Sequence, residues 1–334
     1  MMNRMSDSGI LFDQWREVLS AIQEADSASL FSHTSPDGDT LGSALSLLHW
    51  MRSMGKKVQL YTDGLMPKNC ALLPGIEEVH FSATDAEICP LAIAVDISSP
   101  DRLGALQDAY EKAPLKLVID HHGTNPGFGD FNYVDGDAPA TAILMGRLMR
   151  HAGHTPTREE AICLYTALST DTGNFIYQST NAEAFTLMAE LMDAGLPLAE
   201  HARHLFRRKS VPFVCLLREA LPTLRIIENG QIAGITVSQE ALQKAGANET
   251  HTDGIVDYAI DLEGVRLAYM LREQGPGQYK GSLRAQGMDG VDKVAAALGG
   301  GGHAQAAGFS FTGTLKEAVQ ATENALRNLL KEQG

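Results

Sequence analysis

Short apolar runs alternate with helix-like segments through the first half of the chain. Four β-prone runs cover residues 28–33, 56–62, 91–97 and 115–120. Their alternation with helical segments predicts an α/β domain, with a largely parallel sheet flanked by helices. From residue 138 to about 220, apolar residues recur at three- and four-residue spacings, as in APATAILMGRLMRHAG and REEAICLYTALS, which indicates mostly helices. Functional side chains of such a sheet are expected at the carboxyl ends of its strands.

The pattern changes after about residue 220. Strand-like runs at 221–238, 265–273 and 278–286 are separated by Gly- and Asn-containing turns, and a helix is predicted near 315–331. This pattern favours a smaller α+β domain. The sequence therefore predicts a first domain over 1–200, a helical connection over 201–220 and a second domain over 221–334, which suits a length of 334 residues.

Composition and charge narrow the classes of partner. The chain has 27 Lys and Arg against 41 Asp and Glu, which gives a net charge of −14. This balance argues against a long basic surface that binds duplex DNA. If the substrate is a nucleic acid, it is expected to be short. The basic run of Arg203, Arg207, Arg208 and Lys209 is interpreted as a solvated helix face, with an anion contact as the alternative. The four cysteines are scattered, no apolar run is long enough to cross a membrane, and no secretory signal is recognised. These features predict a cytoplasmic protein.

Metal-binding residue types follow the first apolar run. The segment HTSPDGD contains His33, Asp37 and Asp39 within seven residues. Hard divalent cations prefer carboxylate oxygens, and an imidazole adds affinity for manganese, iron or zinc over calcium. The alternative is a turn and helix N-cap, because Pro, Asp and Gly are also turn residues.

Three further polar groups follow apolar segments. Asp96 ends LAIAVD, DHH at 120–122 follows LKLVI, and Asp171 lies in STDTGNF after a helix-like segment. Adjacent histidines on extended backbone point to opposite faces, so only one of His121 and His122 is expected to bind a given ion. Capping and turn roles are the alternatives for Asp96 and Asp171. Together these residues are enough for a site with two metals.

The four segments HTSPDGD, AVD, DHH and STDTG, in this order, resemble the motifs of the DHH phosphoesterase superfamily. That superfamily includes RecJ-type exonucleases, family II inorganic pyrophosphatases and the nanoRNase/pAp phosphatases. The resemblance extends over nearly the whole chain. It implies a DHH catalytic domain, a DHH-associated domain after it, and two divalent ions, with manganese expected and magnesium as the alternative.

The resemblance also implies a role for each residue. One metal is expected to be held by His33, Asp37 and Asp96, and the other by Asp39, Asp96, His121 and Asp171. Asp96 then bridges the two ions. Asp120 is expected to orient the DHH segment, and His122 to face the substrate phosphate. A pair of such ions shares a water, lowers its pKa and presents hydroxide to phosphorus.

Two segments of the second domain also suggest phosphate binding. GSLRAQ places Arg284 in a predicted strand, where a guanidinium can hold a phosphate by two hydrogen bonds. GGGGH contributes Gly301, Gly302 and His303, and glycines allow close approach of a ligand to backbone N–H groups. The alternatives are a surface arginine and a flexible loop. The pair resembles the SLR strand and GGGH motif of the DHH-associated domain, which implies substrate binding across an interdomain cleft, although Ala285 stands where that family commonly has serine.

Among the members, the GGGGH motif disfavours pyrophosphatases, and the absence of added DNA-binding modules disfavours RecJ. The chain most resembles the nanoRNase (oligoribonuclease)/pAp phosphatase branch, which trims very short RNAs and removes the 3′-phosphate of 3′-phosphoadenosine 5′-phosphate (pAp). The expected partner is a short RNA or small nucleotide, and a homodimer is left open. The alternatives are a linear or cyclic dinucleotide phosphodiesterase and a non-catalytic nucleotide-binding regulator.

Overall fold

The computed structural model describes residues 7–81, 88–287, 290–302 and 304–332. The chain divides into two compact units, Met1–Arg208 and Lys209–Gly334. The division falls inside segment 201–220, for which the sequence predicts the connection.

The first unit contains a sheet of five parallel strands in the order β2-β1-β3-β4-β5. The prediction of a largely parallel sheet is confirmed. The strands are β1 Ser27–Phe31, β2 Lys57–Tyr61, β3 Leu91–Val95, β4 Leu115–Asp120 and β5 Phe131–Val134.

Helices connect and cover these strands. They are α1 Asp7–Glu24, α2 Gly38–Ser53, α3 Gln107–Glu111, α4 Thr141–His151, α5 Arg158–Asp171, α6 Ala182–Asp193 and α7 Leu198–Ala202. Short 3-10 turns lie at Lys68–Cys70, Ile76–Glu78 and Pro100–Leu106, and a π-helical turn at Arg203–Arg207 follows α7.

Strand β3 shows why the sheet is covered on both faces. Every residue of β3 is buried. Leu91, Ile93 and Val95 point into the main core, which they share with buried residues of α2, α4 and α5. Ala92 and Ala94 point into a smaller core on the other face, lined by the segment around α3. A strand buried on both faces has a continuous apolar sequence. Because β3 is the central strand of the sheet, its carboxyl end places Asp96 in the middle of the sheet edge.

The second unit is built on a six-stranded mixed sheet in the order β10-β11-β9-β8-β7-β6. Strands β7 and β8 pair in parallel and the other neighbours are antiparallel. The predicted α+β domain with a terminal helix is confirmed. Its elements are α8 Val211–Ala220, β6 Arg225–Ile227, β7 Ile232–Val237, α9 Gln239–Lys244, α10 Asp257–Ile260, β8 Leu267–Gly275, β9 Gln278–Ala285, α11 Val291–Ala297, β10 Gly301–Gly302, β11 Ala306–Thr312 and α12 Leu315–Glu332, with 3-10 turns at Leu221–Thr223, Glu228–Gly230 and Glu249–His251.

No helix in the described ranges combines the length and apolar character needed to cross a membrane.

Candidate metal centre

The candidate ligands lie at the carboxyl ends of β1, β3 and β4, which are neighbours in the sheet. Helix α5 brings Asp171 to the same place because α2 and α5 pack closely. Gly42 of α2 allows this approach: a Cβ there would lie 2.4 Å from the carbonyl oxygen of Cys163. Parallel topology and one close helix contact therefore bring together segments that are far apart in the sequence.

The first donor group consists of His33, Asp37 and Asp96. Nε2 of His33 lies 3.8 Å from Oδ2 of Asp37 and 3.8 Å from Oδ2 of Asp96. The other carboxylate oxygen of Asp37 caps helix α2, accepting from the backbone N–H groups of Asp39 and Thr40. The capping and metal-binding interpretations of Asp37 are thus compatible, because each uses a different oxygen.

The second donor group consists of Asp39, His121 and Asp171. Nε2 of His121 lies 3.1 Å from Oδ2 of Asp171 and 3.7 Å from Oδ2 of Asp39. Its Nδ1 lies 3.1 Å from the carbonyl oxygen of Ala138 and can donate to it, so Nε2 is the ring nitrogen that faces the carboxylates. Asp171 is the last residue of α5 and not an N-cap, and a carboxylate at the negative end of a helix gains from a nearby cation.

Asp96 belongs to both sides of the cluster. Its Oδ2 faces His33, whereas its Oδ1 lies 3.6 Å from Nε2 of His121. Its backbone adopts φ 59°, a left-handed conformation that is uncommon outside glycine and that often marks functional sites. The segment before it is held by Thr40, whose hydroxyl donates to the carbonyl oxygen of Val95 at 3.0 Å. The two oxygens of Asp96 therefore face two different histidines.

Thr141 is a site residue that the sequence analysis missed. Its hydroxyl donates to Oδ1 of Asp96 at 2.9 Å, and its backbone N–H donates to Oδ2 of Asp39 at 2.7 Å. Asp39 also accepts from the backbone N–H of Ala142 and from the hydroxyl of Ser43. A weak signal was available: Ala140 precedes α4 and cannot cap it, so the first helical N–H groups need an acceptor from elsewhere, here Asp39.

The two adjacent histidines do not point to opposite faces, so that expectation is wrong. Their ring centroids are 4.7 Å apart, and Nδ1 of His122 lies 3.7 Å from Oδ1 of Asp96, close to His121. The reason is that β4 ends at Asp120, and strand alternation does not apply to the residues after it.

Asp120 holds His122 in place. Its Oδ1 lies 2.7 Å from Nδ1 of His122, and its Oδ2 accepts from the side-chain amide of Asn125 at 2.6 Å. Burial acts to raise the pKa of Asp120, but the hydrogen bonds from His122 and Asn125 outweigh it, and the pKa is lowered. Asp120 is therefore a buried carboxylate that fixes which nitrogen of His122 is engaged.

Burial and neighbouring charges shift the pKa values of several cluster residues away from their usual values. Burial, with a smaller contribution from Asp171, raises the pKa of Asp39 to about 7. Burial and the nearby Asp39 also raise the pKa of Asp96 well above its usual value. Burial lowers the pKa of His33 to about 3, so its ring is neutral and can bind a metal. Carboxylates taken out of water are costly unless a cation or a proton offsets their charge.

The donor set fits divalent ions. Several nitrogen-to-oxygen distances are 3.6–3.8 Å, too long for hydrogen bonds. Ligands lie roughly 2.0–2.2 Å from a common ion, so pairs at these separations can share one. Carboxylate oxygens combined with imidazole nitrogens suit manganese, iron or zinc, and the carboxylates alone suit magnesium.

The candidate residues of the second unit have a different setting. Arg284 lies in β9 with its side chain 31% exposed, and its Nε is 3.5 Å from Oδ1 of Asp257. Gly301 and Gly302 form the exposed strand β10. Gly302 has φ 147°, and a Cβ there would meet the backbone of Ala307, whereas a Cβ on Gly301 would meet no atom of the described residues within 4 Å. Gly302 is thus required by local packing and Gly301 is not. His303 lies outside the described residues.

The four residues of the basic run are all exposed, as expected for a solvated face. The ammonium group of Lys209 lies 4.8 Å from the ring centroid of Phe213, a cation–π contact.

Comparisons with known proteins match segments in both units of the chain. Residues 28–168 match the model of the DHH family, N-terminal domain, and residues 230–332 match the DHHA1 domain. The chain is 33% identical to the bifunctional oligoribonuclease and PAP phosphatase NrnA of Thermus thermophilus, over 95% of this chain and 94% of the relative.

Two other similarities are informative. The chain is 26% identical to the cyclic-di-AMP phosphodiesterase GdpP of Geobacillus thermodenitrificans, over 92% of this chain and 48% of that protein. An exopolyphosphatase-related protein from Bacteroides fragilis has a crystal structure that matches with a TM-score of 0.89 at 26% identity, with 98% of both chains covered. These similarities extend over both units.

Proposed function

Since this chain belongs to the DHH family of phosphoesterases, we propose that it is a metal-dependent hydrolase of short oligoribonucleotides and of the 3′-phosphate of pAp. The observation that carries the proposal is Asp96, whose two oxygens face His33 and His121 in two separate donor groups. The ions of two-metal phosphoryl transfer lie roughly 3.5–4 Å apart, and a carboxylate between the two donor groups could hold them at such a separation. The substrate class is taken from NrnA of Thermus thermophilus, a bifunctional oligoribonuclease and PAP phosphatase that is 33% identical over nearly the whole chain.

The proposed ligand sets follow the two donor groups. One ion is held by His33, Asp37 and Asp96, and the other by Asp39, Asp96, His121 and Asp171. These groupings are supported by distances of 3.1–3.8 Å between their ligand atoms. Divalent ions held by these residues would lower the pKa of a bound water and neutralise charge on a phosphate.

The remaining residues of the DHH segment act on the substrate side in this proposal. Asp120 accepts a hydrogen bond from Nδ1 of His122, which fixes the orientation of the imidazole ring. His122, held in this way beside Asp96, contacts the substrate phosphate. Thr141 keeps the Asp96 carboxylate in one orientation through its hydroxyl.

We assign substrate binding in the second unit to Arg284, Gly301, Gly302 and His303. The part-exposed guanidinium of Arg284 can bind the phosphate that is not cleaved. Open space beside Gly301 leaves room for a ligand close to the backbone. Arg284, Gly301 and Gly302, which the structure describes, are outside the donor groups of the cluster, so we expect changes at them to alter affinity for the substrate and not metal content.

A second candidate function is hydrolysis of linear or cyclic dinucleotides. It is favoured by the similarity to a cyclic-di-AMP phosphodiesterase over 92% of this chain. The same metal cluster can serve it, because the scissile group is again a phosphodiester.

Manganese is proposed as the preferred metal, because the ligand sets contain imidazoles, which magnesium binds poorly. A cytoplasmic location is also proposed. It is supported by the four cysteines, which are all free thiols.

The test offers purified, manganese-loaded protein pAp, a linear dinucleotide, a five-nucleotide RNA, cyclic dinucleotides and pyrophosphate. The proposal expects turnover of pAp and of the short RNAs. Preferential turnover of cyclic dinucleotides would favour the second candidate. Tight binding without turnover of any of them would identify a non-catalytic nucleotide-binding protein. The control variant is Asp101→Asn, which changes an exposed aspartate outside the cluster and should match the wild type.

A further inference from the structure

The segment directly after Asp171 has an unusual backbone. Gly173, Asn174 and Phe175 are consecutive residues with φ of 56°, 57° and 68°. Glycine and asparagine tolerate the left-handed region, but a bulky aromatic residue is a genuine outlier there. Strain of this kind persists only where surrounding contacts enforce it, and it clusters at functional sites.

The contacts that enforce this conformation are visible. The backbone N–H of Asn174 donates to the carbonyl oxygen of Ser169, and that of Phe175 donates to the hydroxyl of Thr172 at 3.1 Å. The Phe175 ring stacks on Phe185 with centroids 5.4 Å apart. Phe175 is therefore the anchor that fixes the chain at the end of α5.

The next two residues are turned outward as a result. The backbone N–H groups of Ile176 and Tyr177 both donate to the carbonyl oxygen of Thr172, at 3.0 Å each. Ile176 is 81% exposed and Tyr177 is 43% exposed. The Tyr177 ring packs over Gly173, where a Cβ would lie 2.5 Å from two ring carbons. An aromatic face is thus fixed against the residue two positions after Asp171.

We propose that Ile176 and Tyr177 form the surface on which the nucleobase of the substrate stacks while its phosphate lies at the metal centre. The inference rests on the proposed function and extends it to the base. A planar ring gains from stacking on an aromatic or apolar side chain whatever the base, which suits an enzyme that trims short RNAs of any sequence.

The test compares two substrates that differ only in the base, pAp and ribose 3,5-bisphosphate. In wild-type protein, pAp is expected to have the higher kcat/KM. Tyr177→Ala should lower the ratio of kcat/KM for pAp over ribose bisphosphate by roughly five- to a hundredfold, the usual effect of losing one stacking side chain. The change should lie mainly in KM for pAp. Tyr177→Phe keeps the ring and should retain the wild-type ratio.

Two controls separate stacking from a structural role. Ile226→Ala removes a 55% exposed isoleucine from β6, three strands away from Arg284, and should leave the ratio unchanged. Metal content of Tyr177→Ala should equal that of the wild type. If Tyr177→Ala lowers kcat/KM for both substrates equally, or loses metal, the ring only supports Asp171 and the inference is wrong.

Binding measurements distinguish this inference from the proposed function. Affinities of AMP and ribose 5-phosphate for metal-loaded protein are measured by calorimetry. If the wild type hydrolyses neither bisphosphate but Tyr177→Ala weakens AMP binding and not ribose phosphate binding, stacking stands and the proposed function falls. If the wild type hydrolyses pAp but Tyr177→Ala binds AMP as the wild type does, stacking falls and the proposed function stands.

Discussion

The candidate residues of the two units are held in very different ways. In the first unit, Asp39 and Asp96 are almost completely buried, and backbone or hydroxyl donors fix their oxygens. In the second unit, Arg284 is part-exposed and its ion pair with Asp257 is a long 3.5 Å contact, while Gly301 has open space beside it. The first set is positioned before any ligand arrives. The second set is held by fewer and longer contacts among the described residues.

This difference has an energetic reason. Buried carboxylates need hydrogen-bond donors together with a cation or a proton, because their desolvation is otherwise not offset. A part-exposed guanidinium stays hydrated, so the loss of its ion-pair partner costs little free energy. The first unit should therefore control metal content and turnover, and the second should control affinity for the substrate.

Removal of the metal should have the largest effect. Treatment with a chelator is expected to abolish hydrolysis of pAp and short RNA, because the water that attacks phosphorus is activated by the cations and not by the carboxylates that hold them. Added manganese should restore activity at least as well as magnesium. The measurement is the initial rate in metal-free buffer and after metal is added back. Full activity in metal-free buffer would remove the two-metal proposal.

The next largest effect is expected from Asp96→Asn. Asparagine tolerates the left-handed backbone at this position, so the fold should be kept while the shared ligand is weakened. Both ions should bind less tightly and turnover should fall by more than roughly a hundredfold, beyond the usual effect of outer-shell changes. Metal analysis and kcat/KM measure this, with Asp101→Asn as the matched control. Two bound ions and a near wild-type rate would show that Asp96 is only a turn residue.

Thr141→Val should have an intermediate effect. Valine has nearly the shape of threonine but leaves Oδ1 of Asp96 without its hydroxyl donor, while the backbone N–H bond to Asp39 is kept. Manganese affinity should fall by about 10–100-fold, and Thr141→Ser should recover most of it.

The control for Thr141 is Thr166→Val. Thr166 is also buried, but its hydroxyl donates within α5 to the carbonyl oxygen of Ile162. Calorimetric titration with manganese compares the three variants. Equal losses in Thr141→Val and Thr166→Val would mean that a buried hydroxyl matters only for packing.

The smallest effect is expected from Arg284→Ala. Loss of one charge-assisted hydrogen bond to a phosphate should weaken binding of pAp or short RNA by about tenfold. Metal content should be unchanged, and an artificial bis-aryl phosphate without a second phosphate should be turned over as before. Arg218→Ala, an arginine whose side chain is 71% exposed, is the control. Equal losses on both substrates would assign Arg284 to the folding of its unit.

Several parts of the architecture could be predicted from the sequence because they depend on local patterns. Apolar runs of six or seven residues indicated four of the five parallel strands of the described sheet, and the polar residues at the ends of three runs indicated where the candidate ligands lie. The prediction failed where local rules stop, as at His121 and His122, because the periodicity of a strand says nothing about the loop that follows it.

The sequence by itself determined the α/β and α+β classes of the two units and the residue types at the site, because periodicity and residue chemistry are properties of short segments. Only the tertiary structure decided that the oxygens of Asp96 face two different histidines, and that Thr141 donates to it across 45 residues. It also decided that Gly42 lets α5 bring Asp171 to the strand ends. Such contacts depend on how distant segments pack, and no local pattern encodes the distances between them.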